Sequence, residues 1–324
     1  MKMVTLGKTG LRVSCAGFGV LPMGPAQLAL PLEEGAALIE YALEQGFNFF
    51  DTAQYYQTYP YLRRGLERWQ ESHPEESLDH VVLCSKSLAE TYDDMTAAIE
   101  EATQALGRPV DIFLMHEVRG SQMPQRAGAW QALVDAKARG VVKAIGLSTH
   151  HVDVVGAAAA MEALDVVFPL LNYAGLGIRC ENRFATAEEM MEAIRACHQA
   201  GKAIFTMKAF GGGSLTATYQ KALDYVFQQE EVHAVMVGFG KKSEIDDLLS
   251  YLDKTMDSAY NPDVSHKKIH VNQEDCEGCG ACKSTCPAGA IYWNENGLAD
   301  VDQSKCLTCG YCAPVCPVRA VIMY

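Results

Sequence analysis

The 324-residue sequence has no apolar stretch of about 18 residues, the length that spans a bilayer. Its first residues, MKMVTLGKTG, also lack the apolar segment of a signal peptide. Lysine and arginine form no run, and 27 basic residues against 40 acidic ones give a formal net charge of −13. Such an acidic chain is a poor partner for a nucleic-acid backbone. These absences predict a soluble, cytoplasmic protein that binds neither membranes nor nucleic acid.

Cysteine, in contrast, is concentrated near the C-terminus in two similar runs. The first is CEGCGACKSTCP, from Cys276 to Pro287, and the second is CLTCGYCAPVCP, from Cys306 to Pro317. Both resemble the C-x₂-C-x₂-C-x₃-C-P run of bacterial two-cluster ferredoxins, in which the fourth cysteine of each run binds the other cluster. The resemblance implies two 4Fe–4S clusters, the first held by Cys276, Cys279, Cys282 and Cys316, and the second by Cys306, Cys309, Cys312 and Cys286.

Zinc binding and a disulfide framework fit these cysteines less well. Zinc ligands usually occur as pairs with wider gaps between the pairs, and disulfide frameworks suit secreted chains. The small residues between the cysteines let backbone N–H groups turn toward sulfur, as cluster binding requires. The cysteines outside the runs are expected to be unpaired thiols in a reducing compartment: Cys15, Cys84, Cys180 and Cys197.

Short apolar runs rich in β-branched residues alternate with amphipathic helical patterns from residue 13 to residue 254. The runs predicted to be strands are VSCAGFGV, FNFFDTA, VVLCSKS, DIFLMHE, VVKAIGLST, VVFPLLN, KAIFTMKA and VHAVMVGF. Eight such β–α units predict an α/β fold, a (β/α)₈ TIM barrel, rather than an open doubly wound sheet. The G-x-G-x-x-G motif that usually opens such a sheet is absent between Gly17 and Gly24.

The stretch from residue 252 to residue 268, LDKTMDSAYNPDVSHKK, is polar and has no periodicity. We therefore predict a barrel over residues 1–254, a linker over residues 255–267, and a small α+β C-terminal module with both clusters over residues 268–324.

Polar side chains lie at the ends of three predicted strands, which in a TIM barrel is where active sites form. Asp51, Lys86 and His116 hold these places, and Tyr55 and Tyr56 follow Asp51. The chain resembles the aldo-keto reductases, because it contains the motifs FFDTAQYY, VVLCSKS, DIFLMHE and KAIGLST in the family's order. In that family the catalytic tyrosine follows the aspartate by five positions, which selects Tyr56 rather than Tyr55. The resemblance implies carbonyl reduction with Tyr56 as the proton donor. Lys86, held in place by Asp51, would lower the pKa of Tyr56. His116 would orient the carbonyl group of the substrate.

The same resemblance implies a phosphate-bearing cofactor and the positions that bind it. These positions are Ser148, Asn172, Met207, Lys208, Gly211, Gly212, Gly213, Gly238, Phe239 and Gly240. Thr149, Phe168 and Met207 stand where the family has asparagine, glutamine and a stacking ring. Glu244 lies at or next to the family's arginine for the 2′-phosphate of NADP and would repel that group, although Lys241 or Lys242 could serve instead.

Nicotinamide transfers two electrons as hydride, whereas each cluster transfers one, and a flavin can do both. The sequence therefore leaves NAD(P)H and FMN open. The leading hypothesis is an oxidoreductase that reduces a small-molecule carbonyl and exchanges electrons with an external carrier such as a ferredoxin or flavodoxin. Two alternatives are a flavin-linked or cluster-driven reductase in the same barrel, and a non-enzymatic electron-transfer or redox-sensing protein. Asp51, Tyr56, Lys86 and His116 resemble the catalytic tetrad of the aldo-keto reductases. Because all four are present in this sequence, an enzyme is favoured over a non-enzymatic protein.

The cysteine assignment predicts about eight iron and eight acid-labile sulfide per chain in anaerobically purified protein. Crossed ligation predicts that Cys316→Ser damages the first cluster and Cys286→Ser the second. Iron and sulfide analysis, with EPR spectroscopy of the reduced variants, checks both statements. Zinc in place of iron, or damage confined to the second cluster in Cys316→Ser, would contradict the assignment.

Overall fold

The structure, a computed structural model, describes most of the chain. The described ranges are residues 1–181, 183–262, 267–307, 310–313, 315–318 and 320–323. Of the predicted cluster ligands, Cys309 lies outside these ranges.

The strands of the first half are β1 (Met3–Thr5), β2 (Arg12–Ser14), β3 (Ala16–Gly19), β4 (Phe49–Asp51), β5 (Val82–Ser87), β6 (Ile112–Met115), β7 (Ala144–Thr149) and β8 (Val166–Pro169). Those of the second half are β9 (Arg179–Cys180), β10 (Arg183–Phe184), β11 (Ala203–Thr206), β12 (Ala234–Gly238), β13 (Ile269–Val271), β14 (Ile291–Trp293), β15 (Ala299–Val301) and β16 (Val321–Met323). The helices are α1 (Leu32–Glu44), α2 (Tyr59–Ser72), α3 (Tyr92–Leu106), α4 (Ala127–Ala138), α5 (Val152–Ala158), α6 (Ala187–Gln199), α7 (Tyr219–Phe227), α8 (Lys242–Leu252) and α9 (Ala281–Thr285).

Eight parallel strands form a closed barrel in the order β11-β12-β3-β4-β5-β6-β7-β8. Each predicted apolar run supplies one strand, which confirms the predicted fold. Inside the barrel Phe205 packs against Phe49 and Phe168, with ring centroids 4.9 and 4.3 Å apart. Outward-facing apolar side chains of the strands pack under the helices. The N-terminal strands β1 and β2 form an antiparallel hairpin that joins the inner core through Leu6 and Val13.

The parallel register brings the C-terminal ends of neighbouring strands to one rim. Asp51 at the end of β4 pairs with Cys84 of β5, and Lys86 of β5 pairs with Leu114 of β6. Because β5 extends beyond this pairing toward the rim, its lysine lies beside the aspartate of the neighbouring strand. The predicted catalytic residues therefore share one end of the barrel.

The C-terminal module contains two antiparallel strand pairs, β13 with β16 and β14 with β15, and the short helix α9. Its core combines apolar side chains of these strands with buried cysteines, namely Ile269, Val271, Ile291, Val301, Val321, Cys282, Cys312 and Cys316. Ahead of it, Tyr260 packs edge-to-face on Tyr219 of α7 at 5.5 Å. Within the described ranges, no helix is long and apolar enough to cross a membrane.

Candidate active site

A buried ion pair between Lys86 and Asp51 lies at the rim. The Lys86 ammonium donates to both carboxylate oxygens of Asp51 and to the carbonyl of Thr52, each at 2.8 Å. Burial lowers the pKa of Lys86, but the Asp51 carboxylate and nearby Tyr56 raise it more, so the net pKa lies above its ordinary value. Burial also raises the pKa of Asp51 against the lowering effect of Lys86. With three acceptors around its ammonium, Lys86 stays charged and the two groups form an ion pair.

Tyr56 and His116 join this pair, so the four residues of the predicted tetrad lie together. The Tyr56 hydroxyl is 3.3 Å from His116 Nε2, and the centre of its ring is 4.6 Å from Lys86 Nζ. Burial lowers the pKa of His116 well below its usual value, and the nearby cationic side chains lower it further, which keeps the imidazole neutral.

The pKa of Tyr56 differs from the expectation based on sequence. Burial raises it, Lys86 lowers it, and the Asp51 carboxylate raises it again. The balance lies above the ordinary value, because burial outweighs the ammonium. The expected net lowering is therefore wrong. Tyr56 keeps its proton at neutral pH, as a proton donor must.

Arg126 holds together the strand ends that carry the tetrad. Its guanidinium donates to the carbonyls of Ser87 at 3.0 Å, Ala89 at 3.2 Å and His116 at 2.7 Å, and the side chain is buried. Sequence reasoning did not identify this residue. Its partners are backbone carbonyls, so no residue type elsewhere in the sequence signals the contact.

A cavity of about 650 Å³ extends from the tetrad to the N-terminus of α8. The predicted cofactor positions that line it are Ser148, Met207, Lys208, Gly212, Gly213, Gly238, Phe239 and Gly240. Asn172 and Gly211 are not among its lining residues. The Asn172 amide holds its own loop, accepting from Leu176 N at 2.9 Å and donating to Leu176 O at 3.0 Å. Gly211 N donates to the Lys208 carbonyl at 2.8 Å.

Two non-glycine residues in the cavity wall have a left-handed backbone. Glu117, directly after His116, has φ 49°, and Lys208, at the end of the β11 segment, has φ 59°. Such conformations cost about 1–3 kcal/mol and tend to persist where the surrounding structure imposes them. Their occurrence at two strand ends of one cavity supports a functional role for this rim.

The two hydroxyl groups at the end of β7, those of Ser148 and Thr149, make hydrogen bonds within the protein. Ser148 Oγ accepts from Glu117 N at 3.0 Å and still has its own hydrogen to donate. Thr149 Oγ1 donates to the Val118 carbonyl at 2.6 Å and accepts from His151 N at 3.0 Å. Of the two hydroxyls, only that of Ser148 can therefore donate to a cofactor amide.

Glu244 occupies the anion position at the N-terminus of α8. Its Oε2 accepts from Gly240 N at 2.8 Å, and its Oε1 lies 3.7 Å from Lys267 Nζ. Helix N-termini and glycine N–H groups are common phosphate contacts, and here the chain supplies its own carboxylate. Lys241 lines the cavity, whereas Lys242 stacks on Tyr41 at 3.7 Å from the ring centre.

The glycine loop after β11 contacts the C-terminal module. The carbonyl of Gly212 accepts from Met323 N at 3.0 Å. Gly213 has φ 88°, and a Cβ there would lie 2.4 Å from the Met323 carbonyl oxygen. Sequence reasoning interpreted this loop as a phosphate site and missed that it is also where β16 packs against the barrel.

Two acidic residues that precede Cys276 contact the barrel beside the tetrad. The Tyr55 hydroxyl lies beside the carboxylate of Glu274, and the carboxyl groups of Glu117 and Asp275 lie beside each other. Burial is the largest cause that raises the pKa of Tyr55, to about 12, and the nearby Glu274 carboxylate is the second. Burial is also the largest cause that raises the pKa of Glu117, to about 7, and the nearby Asp275 carboxylate is the second. Nearby basic groups lower this pKa, but by less.

The cysteines assigned to the first cluster lie close to one another. Burial raises the pKa of Cys282, and the charges of Cys316, Cys276 and Cys279 raise it further. Cys316 of the second run is thus beside the first run, as crossed ligation requires.

The second group also fits its predicted ligand set, as far as the described residues extend. Cys286, Cys306 and Cys312 line one small cavity in the module. Burial raises the pKa of Cys286, but the N–H of Ala290, at 3.3 Å from its sulfur, and neighbouring N–H groups bring it below its ordinary value. These N–H groups favour the thiolate, which is the form that binds metal.

The described cysteines of the module are neither paired in disulfides nor gathered into one close group of metal ligands. None of the cysteines that the structure describes forms a disulfide. No three His, Cys, Asp or Glu side chains in the described ranges are grouped closely enough to hold a single metal ion.

Comparison with known proteins agrees with this site. The aldo/keto reductase family model matches residues 17–224, and a 4Fe-4S dicluster domain matches residues 275–320. The chain belongs to the aldo/keto reductase family and is an oxidoreductase with a fused 4Fe-4S domain.

Similar proteins include L-galactose dehydrogenase of Arabidopsis thaliana, 24% identical over 283 residues, which are 76% of this chain and 86% of the relative. D-threo-aldose 1-dehydrogenase of a Pseudomonas species is 26% identical over 243 residues, 65% of this chain and 70% of the relative. The solved aldo-keto reductase of Bacillus halodurans superposes with a TM-score of 0.63 at 14% identity, covering 82% of this chain and 93% of that one. At this identity, the structural match shows the fold alone.

The raised pKa of Glu117 predicts a pH-dependent stability. A folded-state pKa near 7 means that the contribution is complete below about pH 4, the unfolded value, and is lost as the pH rises through about 7. Between about pH 4 and pH 7, wild-type protein should therefore lose stability relative to Glu117→Gln, and the difference should level off above about pH 8. Anaerobic thermal unfolding at matched iron content measures this difference, with Glu67→Gln on the exposed surface of α2 as the control. Parallel pH profiles of wild type and Glu117→Gln would contradict the prediction.

Proposed function

We propose that this oxidoreductase reduces the carbonyl group of a small molecule with Tyr56 as proton donor. The observation that carries the proposal is the Tyr56 hydroxyl, 3.3 Å from neutral His116 and beside the Lys86 ammonium, in the wall of a large cavity. Hydride is the chemistry that a nicotinamide nucleotide supplies when bound in this cavity. As negative charge develops on the carbonyl oxygen, Tyr56 donates its proton, and Lys86 stabilises the phenolate that remains.

His116 positions the carbonyl oxygen in this proposal. Its imidazole is neutral, so it can donate a hydrogen bond to the oxygen without competing with Tyr56 as an acid. The same residues support the reverse reaction, in which the Tyr56 phenolate takes the hydroxyl proton of an alcohol as the alcohol is oxidised. Two relatives with dehydrogenase names agree with chemistry in either direction.

The nucleotide end of the cavity favours NADH over NADPH. Lys208 and the glycines after β11 and β12 provide a cation and backbone groups for a pyrophosphate. Glu244 holds Gly240 N where a 2′-phosphate would need a donor, and its negative charge repels that phosphate.

A flavin-linked reductase is the second candidate, supported by the position of the C-terminal module against the catalytic cavity. Clusters exchange single electrons, and bound FMN would convert them to the two-electron chemistry of the substrate. In both proposals the module exchanges electrons with an external one-electron carrier. Absorbance spectra before and after acid release distinguish the two, because released flavin gives resolved bands and nicotinamide does not.

Tyr56→Phe should lower carbonyl reduction by about 10²-fold to 10⁴-fold, since only the general acid is lost. Nucleotide affinity should change little, and Tyr55→Phe should retain most of the turnover. Steady-state kinetics with a nucleotide-binding titration checks both variants. If Tyr55→Phe abolished turnover and Tyr56→Phe did not, the assignment of the proton donor would be wrong.

Glu244→Arg should strengthen NADPH binding by about 1 kcal/mol, the value of a partly exposed charge pair. The substitution removes the repulsive carboxylate and frees the N–H of Gly240. Isothermal titration calorimetry with NADPH and NADH measures the change, and the NADH affinity serves as the internal control. Tight wild-type binding of NADPH in preference to NADH would count directly against the interpretation of Glu244.

A further inference from the structure

The C-terminal module forms one wall of the catalytic cavity. Its lining residues are His270, Asn272, Glu274, Asp275, Ile322 and Met323, and they lie opposite barrel residues that include Tyr56 and His116. We propose that the first cluster, held by Cys276, Cys279, Cys282 and Cys316, faces this cavity. Tyr55 and Glu117 are positioning residues that hold the ligand segment of that cluster in place.

The contacts on one side of the first cluster come from the immediate neighbours of the tetrad. Tyr55 precedes Tyr56 and lies beside Glu274, while Glu117 follows His116 and lies beside Asp275. Glu274 and Asp275 directly precede Cys276. Two catalytic positions are thus each one residue away from a contact with the segment that carries the first ligand.

The other segment that supplies a ligand to the first cluster is also attached to the barrel. The guanidinium of Arg179 donates to the carbonyl of Pro317, the residue after Cys316. Val318 lines a second cavity of about 700 Å³ together with Glu117 and Arg179. The first and last ligands of this cluster, far apart in sequence, are therefore both held against the same side of the barrel.

The second cluster has different surroundings. The small cavity that contains Cys286, Cys306 and Cys312 is lined by residues of the module. Next to two of these ligands, Leu307 is 69% exposed and Tyr311 is 62% exposed. In the proposed order the first cluster lies nearer the catalytic cavity than the second, whereas exposure does not separate them, because Cys279 of the first set is itself exposed.

The inference rests on the proposed cluster binding and is independent of carbonyl reduction. Hydrogen bonds and charges near the ligands set the reduction potential of a cluster. Tyr55→Phe removes the hydroxyl beside Glu274, and Glu117→Gln removes the carboxyl group beside Asp275. Both changes act next to Cys276, so they should shift the midpoint potential of the first cluster and not that of the second.

The test is an anaerobic redox titration of the full-length protein followed by EPR spectroscopy. Wild type, Tyr55→Phe and Glu117→Gln are compared with Tyr92→Phe, which loses a hydroxyl that donates to Asp135 at 2.9 Å, on the exposed surface of α3. Cys306→Ser identifies the second cluster by altering its EPR signal, and Cys316→Ser identifies the first if the former variant does not fold.

We expect Tyr55→Phe and Glu117→Gln to shift the potential of the first cluster alone, and Tyr92→Phe to leave both potentials at their wild-type values. A shift confined to the second cluster, an equal shift of both, or no shift would overturn the proposed order. Iron analysis of the same samples separates the binding of the clusters from their arrangement. Wild-type protein without iron would overturn cluster binding itself, whereas full iron with unchanged potentials would overturn only the arrangement of the clusters.

Discussion

The buried ion pair between Lys86 and Asp51 is the interaction on which the rest of the site depends. An ammonium that is 1% exposed keeps its charge only with acceptors on every N–H, and Asp51 and Thr52 provide them. The two partners come from adjacent parallel strands of the barrel, so the pair forms only when β4 and β5 lie side by side in this register. Removing either partner would leave an uncompensated buried charge at a cost of about 3–5 kcal/mol. The pairing of β4 with β5 and the charge beside Tyr56 are therefore one structural requirement.

One loop of the barrel both lines the catalytic cavity and contacts the C-terminal module. The loop at Gly212 and Gly213 lines the cavity and also accepts the backbone of Met323. A ligand that shifts this loop acts on β16 through the hydrogen bond from Met323 N to the Gly212 carbonyl. Through its pairing with β13, β16 is connected to the segment that leads to Cys276. Binding in the cavity and the geometry of the module are mechanically linked by these contacts.

The fold and much of the site could be predicted from sequence because their signals are local. Eight apolar runs of strand length define the barrel, polar residues at strand ends indicate the tetrad, and cysteine spacing indicates the clusters. Arg126 and the contact between Glu117 and Asp275 could not be predicted, since they join distant parts of the chain without a pattern at either end. The predicted direction of the Tyr56 pKa shift was wrong for another reason. The lysine beside it is visible in the sequence, but the degree of burial that outweighs the lysine appears only in three dimensions.

The distribution of carboxylates explains why the barrel must hold the module at two points. A four-iron cluster with four thiolate ligands is an anion, so acidic side chains beside Cys276 are unfavourable unless neighbouring hydrogen-bonding groups offset their charge. Glu274 lies beside the hydroxyl of Tyr55, and Asp275 lies beside the carboxyl group of Glu117 and accepts from Asn272 Nδ2 at 2.7 Å. If the module separated from the barrel, Glu274 and Asp275 would lose their barrel partners while the cluster charge remained. Electrostatic repulsion within the module alone therefore favours its contact with the catalytic rim.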